Sequence, residues 1–123
     1  MKIVNKTRNF VISDNSGIAY SLFSRLRGLM LSKNRDLILV SPQEGIKESS
    51  IHTLFMRFPI DVIWLNSENR VVDLKTGVLP FNPRRIDTWR IHKPKKPAKY
   101  VIELGSGKIG NTEIGDKIEF LHT

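Results

Sequence analysis

The sequence predicts a mostly β protein, a small sandwich or distorted barrel with one short packed helix. Three observations lead there. About seven or eight short apolar runs are separated by turn-forming residues. Only one stretch has helical spacing, and no alternation of strand and helix runs along the chain. Sandwiches and barrels bury such strands and protect their edges. A chain of 123 residues suits one hydrophobic core, so residues 1–123 are expected as a single domain.

Each element follows from local pattern. Ile3 to Ile12 mixes polar and apolar residues as an edge strand or hairpin does, and Asp14-Asn15-Ser16-Gly17 is a turn signal. In the predicted helix Leu22, Phe23, Leu26, Leu29 and Met30 share one face, Ser21 is the N-cap and Gly28 the stop or kink. Two turns cannot stand alone, so this stripe must lie against strands. Leu37 to Val40 is an apolar strand ended by Ser41-Pro42, and Ile51 to Met56 follows a polar loop. Ile60 to Leu65 and Arg70 to Leu74 form a hairpin through Asn66-Ser67-Glu68-Asn69. Residues 76–98 read as a long basic loop containing four prolines. Tyr100 to Leu104 and Lys117 to Phe120 are the final strands, with glycines turning the chain between them.

Composition excludes whole classes of chemistry. The absence of cysteine removes disulfide scaffolds, thiolate nucleophiles, iron–sulfur clusters and the usual structural zinc sites. The histidines His52, His92 and His122 form no tight ligand pattern, so neither a metal nor a cofactor is expected. No apolar run is long enough for a transmembrane helix, and the first residues lack a secretory pattern. A soluble cytoplasmic protein is expected, monomeric or weakly dimeric. Gly105-Ser106-Gly107 lacks the flanks of a serine nucleophile elbow. Gly105, Gly107 and Gly110 match a dinucleotide-binding string, but too little chain follows for the helix and strand such a site needs.

The net charge of +8 is concentrated in one segment. Lys75, Arg84, Arg85, Arg90, Lys93, Lys95, Lys96 and Lys99 face only Asp87 in sequence. A field this local steers anions, and Phe81 and Trp89 could stack on bases. Residues 84–99 are therefore a candidate polyanion surface, although the tract around Pro94 and Pro97 cannot form a recognition helix. The plainer reading is a solvated basic loop.

The centre of the chain holds the most informative polar residue. Strand alternation puts Ile60, Val62 and Trp64 on one face, and Asp61, Ile63 and Leu65 on the other. A carboxylate there needs a partner. Backbone amides, His52, Arg25, Arg27 and Arg57 are the candidates. Arg25, Arg27, His52, Thr53 and Asp61 thus form a candidate polar cluster, either ligand-binding or structural.

The motifs in their order resemble a known family. Arg25-Leu26-Arg27-Gly28-Leu29-Met30 is similar to the R-x-R-G-L-M signature of domain of unknown function 192, also called uncharacterised protein family 0127. Also similar are His52-Thr53-x-x-Met56, Pro59-Ile60-Asp61-Val62, Arg70-Val71-Val72 and a proline at Pro80. Tyr100-Val101-Ile102-Glu103-Leu104-Gly105-Ser106-Gly107 and Gly115-Asp116-Lys117-Ile118 complete a resemblance spanning roughly residues 20–120. It implies a small, mostly β domain and no established activity. Many relatives look exported. Phe55-Met56-Arg57-Phe58-Pro59 departs from the family's Trp-Met-Lys-Asn-Thr, and the stretch from Arg84 to Lys99 is unusually basic for it.

These observations favour a binding or accessory module with its site near His52 and Asp61, for a ligand or protein partner that the sequence does not identify. Two alternatives stand beside it. A hydrolase or lyase acting on an anionic substrate would use His52 as acid or base, Asp61 to orient it, and Arg25 or Arg27 to hold the anion. Weak nucleic-acid binding would use residues 84–99.

Overall fold

The structure, a computed structural model, describes residues 1–20, 36–52, 58–80, 82–86 and 91–122. Its strands are β1 (Lys2–Asn5), β2 (Phe10–Ser13), β3 (Ser16–Ala19), β4 (Asp36–Gly45), β5 (Ile51–His52), β6 (Ile60–Leu65), β7 (Val71–Val78), β8 (Ile91–His92), β9 (Ala98–Gly105) and β10 (Ile118–Leu121). They build a five-stranded sheet in the order β3-β4-β9-β6-β7, a three-stranded sheet β10-β1-β2, and a two-stranded ribbon β5-β8. Every pairing is antiparallel except β3 with β4.

The large sheet carries apolar residues on both faces. On one, Ile63, Leu65, Ile102 and Leu104 pack with Ile3, Ile12 and Ile118 of the three-stranded sheet. On the other, Ile60, Val62, Trp64 and Val101 pack with Ile51, Val78 and Ala98. Strand β6 lies between β9 and β7 and is buried along its length, hence its nearly unbroken apolar run. Trp64 is fully buried, and its indole N–H donates to the Ser49 carbonyl at 2.8 Å.

Two expectations about architecture are corrected. The described strands form three open sheets, so neither the sandwich nor the barrel closure is present. Alternation marks which residues are buried but not which strands meet. Here β9 enters between β4 and β6, far earlier in the chain, and leaves β3 and β7 as edges. The described residues also contain no α-helix, so the packed helix is not part of the fold they form. Residues 21–30, on which it was expected, lie outside them.

Local boundaries move for identifiable reasons. Ser41-Pro42 does not end β4, because the ladder to β9 slips between Val40 and Gly45 and places the proline in an irregularity needing no amide donor. Ser16 and Gly17 join β3 rather than a turn, and the Ser16 amide and hydroxyl both donate to the Met1 carbonyl. Residues 76–98 include the end of β7, all of β8 and the start of β9. The Asn66–Asn69 connection is a tight turn. Asn66 Oδ1 accepts from the Glu68 and Arg70 amides at 3.0 Å, and Asn69 takes the left-handed φ of 62°.

Candidate functional site

Asp61 sits near the start of β6, on the face of Ile63 and Leu65, and is 1% exposed. Its two oxygens have different partners. Oδ1 accepts from the Gly77 amide at 3.1 Å, and Oδ2 accepts from the Gly107 amide at 2.9 Å. Both glycines have left-handed φ, +60° and +90°, which a side chain would strain. Asp61 therefore ties two irregular stretches of backbone to the sheet, first the bulge at Gly77 within β7, where the register with β6 slips, and second the turn just after β9. Asp36 grips that turn from the other side, accepting from the Gly105 amide at 3.0 Å and from Lys108 Nζ at 2.8 Å.

The bulged stretch of β7 around Gly77 forms one wall of a cleft of about 500 Å³. Leu74, Lys75, Thr76, Gly77, Val78 and Leu79 of β7 and the residue after it line it, and His92 of β8 faces them. The Lys75 ammonium lies 5.8 Å from the centroid of the Trp64 ring, a cation–π arrangement. Beside the cleft, Asp73 accepts from the Leu74 amide at 2.8 Å and the Lys95 amide at 3.0 Å, tying the basic segment to β7. This wall can hold a small molecule through an ammonium, an imidazole, a hydroxyl and aliphatic surface.

The candidate cluster is only partly described. Arg25, Arg27 and Thr53 lie outside the described residues. His52 is placed by its backbone, paired with Ile91 in the ribbon that also brings Ile51 opposite His92. Of the basic candidates, Trp89 and Arg90 lie outside the described residues. Arg84, Arg85, Lys93, Lys95 and Lys96 are exposed, whereas Lys99 Nζ donates to the Ser41 carbonyl at 2.6 Å. The Arg84 amide donates to Asn82 Oδ1 at 2.9 Å, an Asx turn that Asn82-Pro83 encodes. Sequence reading missed the pairing of Lys75 with Trp64 and the role of Gly77. A glycine inside an otherwise strand-like run was the available signal.

A second polar cluster lies across the molecule. Asp116 Oδ2 accepts from Asn5 Nδ2 at 3.0 Å, Arg8 Nε at 2.7 Å and the Glu113 amide at 2.9 Å. Burial pushes the Asp116 carboxyl up, but these hydrogen bonds and the Arg8 charge outweigh it and hold the group below its ordinary range. Among the described residues, no group of three or more His, Cys, Asp and Glu side chains is placed to hold a metal ion. No helix among them is long and apolar enough to cross a membrane.

Residues 5–120 match the family DUF192, described as Uncharacterized ACR. The chain belongs to that family. It is 42% identical over 122 residues to the UPF0127 protein of Thermococcus sibiricus, covering 96% of this chain and 73% of that one. It is 39% identical over 121 residues to the UPF0127 protein PF1050 of Pyrococcus furiosus, covering 96% and 97%. A solved structure of a protein of unknown function from Novosphingobium aromaticivorans superposes with a TM-score of 0.74 at 17% identity, covering 97% of this chain and 82% of that one. That likeness establishes a shared fold. Within DUF192, this chain is a small β-rich member.

Proposed function

We propose that this DUF192 protein is a non-enzymatic binding module whose ligand occupies the cleft beside the Asp61-held bulge of β7. The observation carrying this reading is the cleft wall itself. It combines Lys75, Thr76 and His92 with aliphatic side chains, on a bulged strand whose geometry Asp61 holds in place. Few, well-placed polar groups on apolar surface are what small-molecule sites offer. Both Asp61 oxygens are engaged by glycine amides, which supports a structural role for that carboxylate rather than one orienting His52 for acid–base chemistry. A cytoplasmic setting is part of the proposal.

Screening a small set of fragments of mixed charge by ¹H–¹⁵N NMR tests it. Saturable shifts should gather at residues 74–79 and at His92. Thr76→Trp, at an exposed position lining the cleft, should remove them without lowering the melting temperature. Shifts scattered over the surface, or none, would overturn the reading.

The exposed basic residues Arg84, Arg85, Lys93, Lys95 and Lys96 favour a second reading, weak nucleic-acid binding. Phosphate contacts alone give affinity that falls steeply with salt and barely depends on base sequence. A mobility-shift titration with single-stranded RNA at low and physiological salt measures this. No shift at low salt removes it.

A further inference from the structure

Resting on the cleft reading above, we infer that its occupant is a small organic anion, a carboxylate or phosphate monoester on a short aliphatic body, with Lys75 setting the preference for negative charge. Three features of the wall converge. The charged side chain of the β7 lining is Lys75, and among the described residues no carboxylate lines the cleft. Lys75 as a residue is half-buried, its ammonium lies 5.8 Å from the centroid of the Trp64 ring, and this ring, itself fully buried, is pinned by the Ser49 carbonyl. An ammonium packed on an aromatic face is less free to roam than a solvated lysine, so it loses less entropy when it meets an anion.

The nearest acid in sequence, Asp73, does not compete for it. Its oxygens accept from the Leu74 and Lys95 amides rather than from the Lys75 ammonium, and its single negative charge is outnumbered by Lys75 and the lysines that follow His92, which makes the local field positive. Lys93, Lys95 and Lys96 leave β8 immediately beyond His92, with no acid between them, and extend that field outward. His92 and the Thr76 hydroxyl, also in the lining, offer polar atoms for the remaining oxygens of an acid group. Leu74, Val78 and Leu79 offer aliphatic surface for its carbon chain. A carboxylate and a phosphate share this chemistry, so the probes must separate them.

The test is a titration of the full chain followed by ¹H–¹⁵N NMR. The probes are butyrate, butyl phosphate, neutral butyramide and cationic butylammonium. Butyrate or butyl phosphate should shift the amides of residues 74–79 and of His92 saturably, and the tighter of the two names the acid group. Butyramide and butylammonium should bind ~10-fold more weakly or not at all, the factor carried by one charge-assisted hydrogen bond. Lys75→Met should weaken the anion by a similar factor, Lys75→Arg should retain it, and Lys93→Met should leave it nearly unchanged. The dispersion of each variant's spectrum shows that it is folded. Butyramide binding as tightly as butyrate, or Lys75→Met binding butyrate like the wild type, overturns the anion inference and leaves the cleft reading standing. No shift at the cleft with any probe overturns both.

Discussion

Asp61 and Asp116 are both buried carboxylates, yet they are satisfied in opposite ways. Asp61 spends one oxygen on each of two glycine amides, one in the bulge of β7 and one in the turn after β9. Asp116 collects three donors on a single oxygen, two of them side chains and one of these the Arg8 guanidinium. The first arrangement orders backbone beside a cleft. The second joins the β1–β2 connection to the turn before β10, and includes a cation at its edge. The difference teaches how two acids of similar burial respond differently to the same substitution.

Replacement by asparagine should separate them most clearly. In Asp61→Asn an amide NH₂ must face one of the two glycine N–H groups, donor against donor. A loss of about 2 kcal/mol is expected from equilibrium urea unfolding, with the slope unchanged. A loss below about 0.5 kcal/mol would mean that water readily takes the place of the carboxylate.

Next in size is the backbone itself. Gly77→Ala meets no atom within 4 Å, so only its φ of +60° is at issue. A cost of about 1–2 kcal/mol is expected, with Gly77→Asn costing less, since asparagine tolerates the left-handed region. If both variants unfold like the wild type, the bulge has relaxed and Asp61 does not hold it.

Asp116→Asn should be milder, below about 1 kcal/mol at neutral pH. Its carbonyl oxygen can keep all three donors on one side and loses only the charge. This gap has a pH signature. The folded Asp116 carboxyl lies below its ordinary value, so its contribution is present above the unfolded value of about 4 and fades as the pH falls through the folded one. The stabilities of wild type and Asp116→Asn should therefore converge in acid, measured by urea unfolding across that range. A gap that persists undiminished at low pH would show that packing, not charge, separates them.

The smallest effect is expected from Arg8→Met, because Arg8 sits at the solvent edge of the cluster. Asn5 and the Glu113 amide remain on Asp116, so the melting temperature should drop slightly, and less in high salt. A drop larger than that of Asp116→Asn would make Arg8, rather than the buried Asn5, the centre of the cluster.

The legibility of the two acids differed for a physical reason. Asp61 stands in an apolar run, where alternation alone shows that a charge is surrounded by hydrocarbon and must be satisfied. The Gly115-Asp116-Lys117-Ile118 motif resembles the family's, but no apolar alternation around Asp116 shows that its carboxylate is buried. Its burial depends on Asn5 and Arg8, more than a hundred residues away in the chain. Lys75 was counted among the basic residues of a loop, but its strand pairs it opposite Val62 and brings it over Trp64.

By itself the sequence determined the strands that carry the core, the face on which each β6 residue lies, the Asn66–Asn69 turn and membership of the family. These depend on periodicities of a few residues, or on motifs in order. Tertiary structure alone decided that β9 lies between β4 and β6, that β3 runs parallel to β4, that the sheets of the described residues stay open, and that two glycine amides serve Asp61. Apolar alternation creates surfaces that must be covered, but many partners can cover them. The choice depends on which arrangement satisfies the buried polar groups, and those donors come from distant turns.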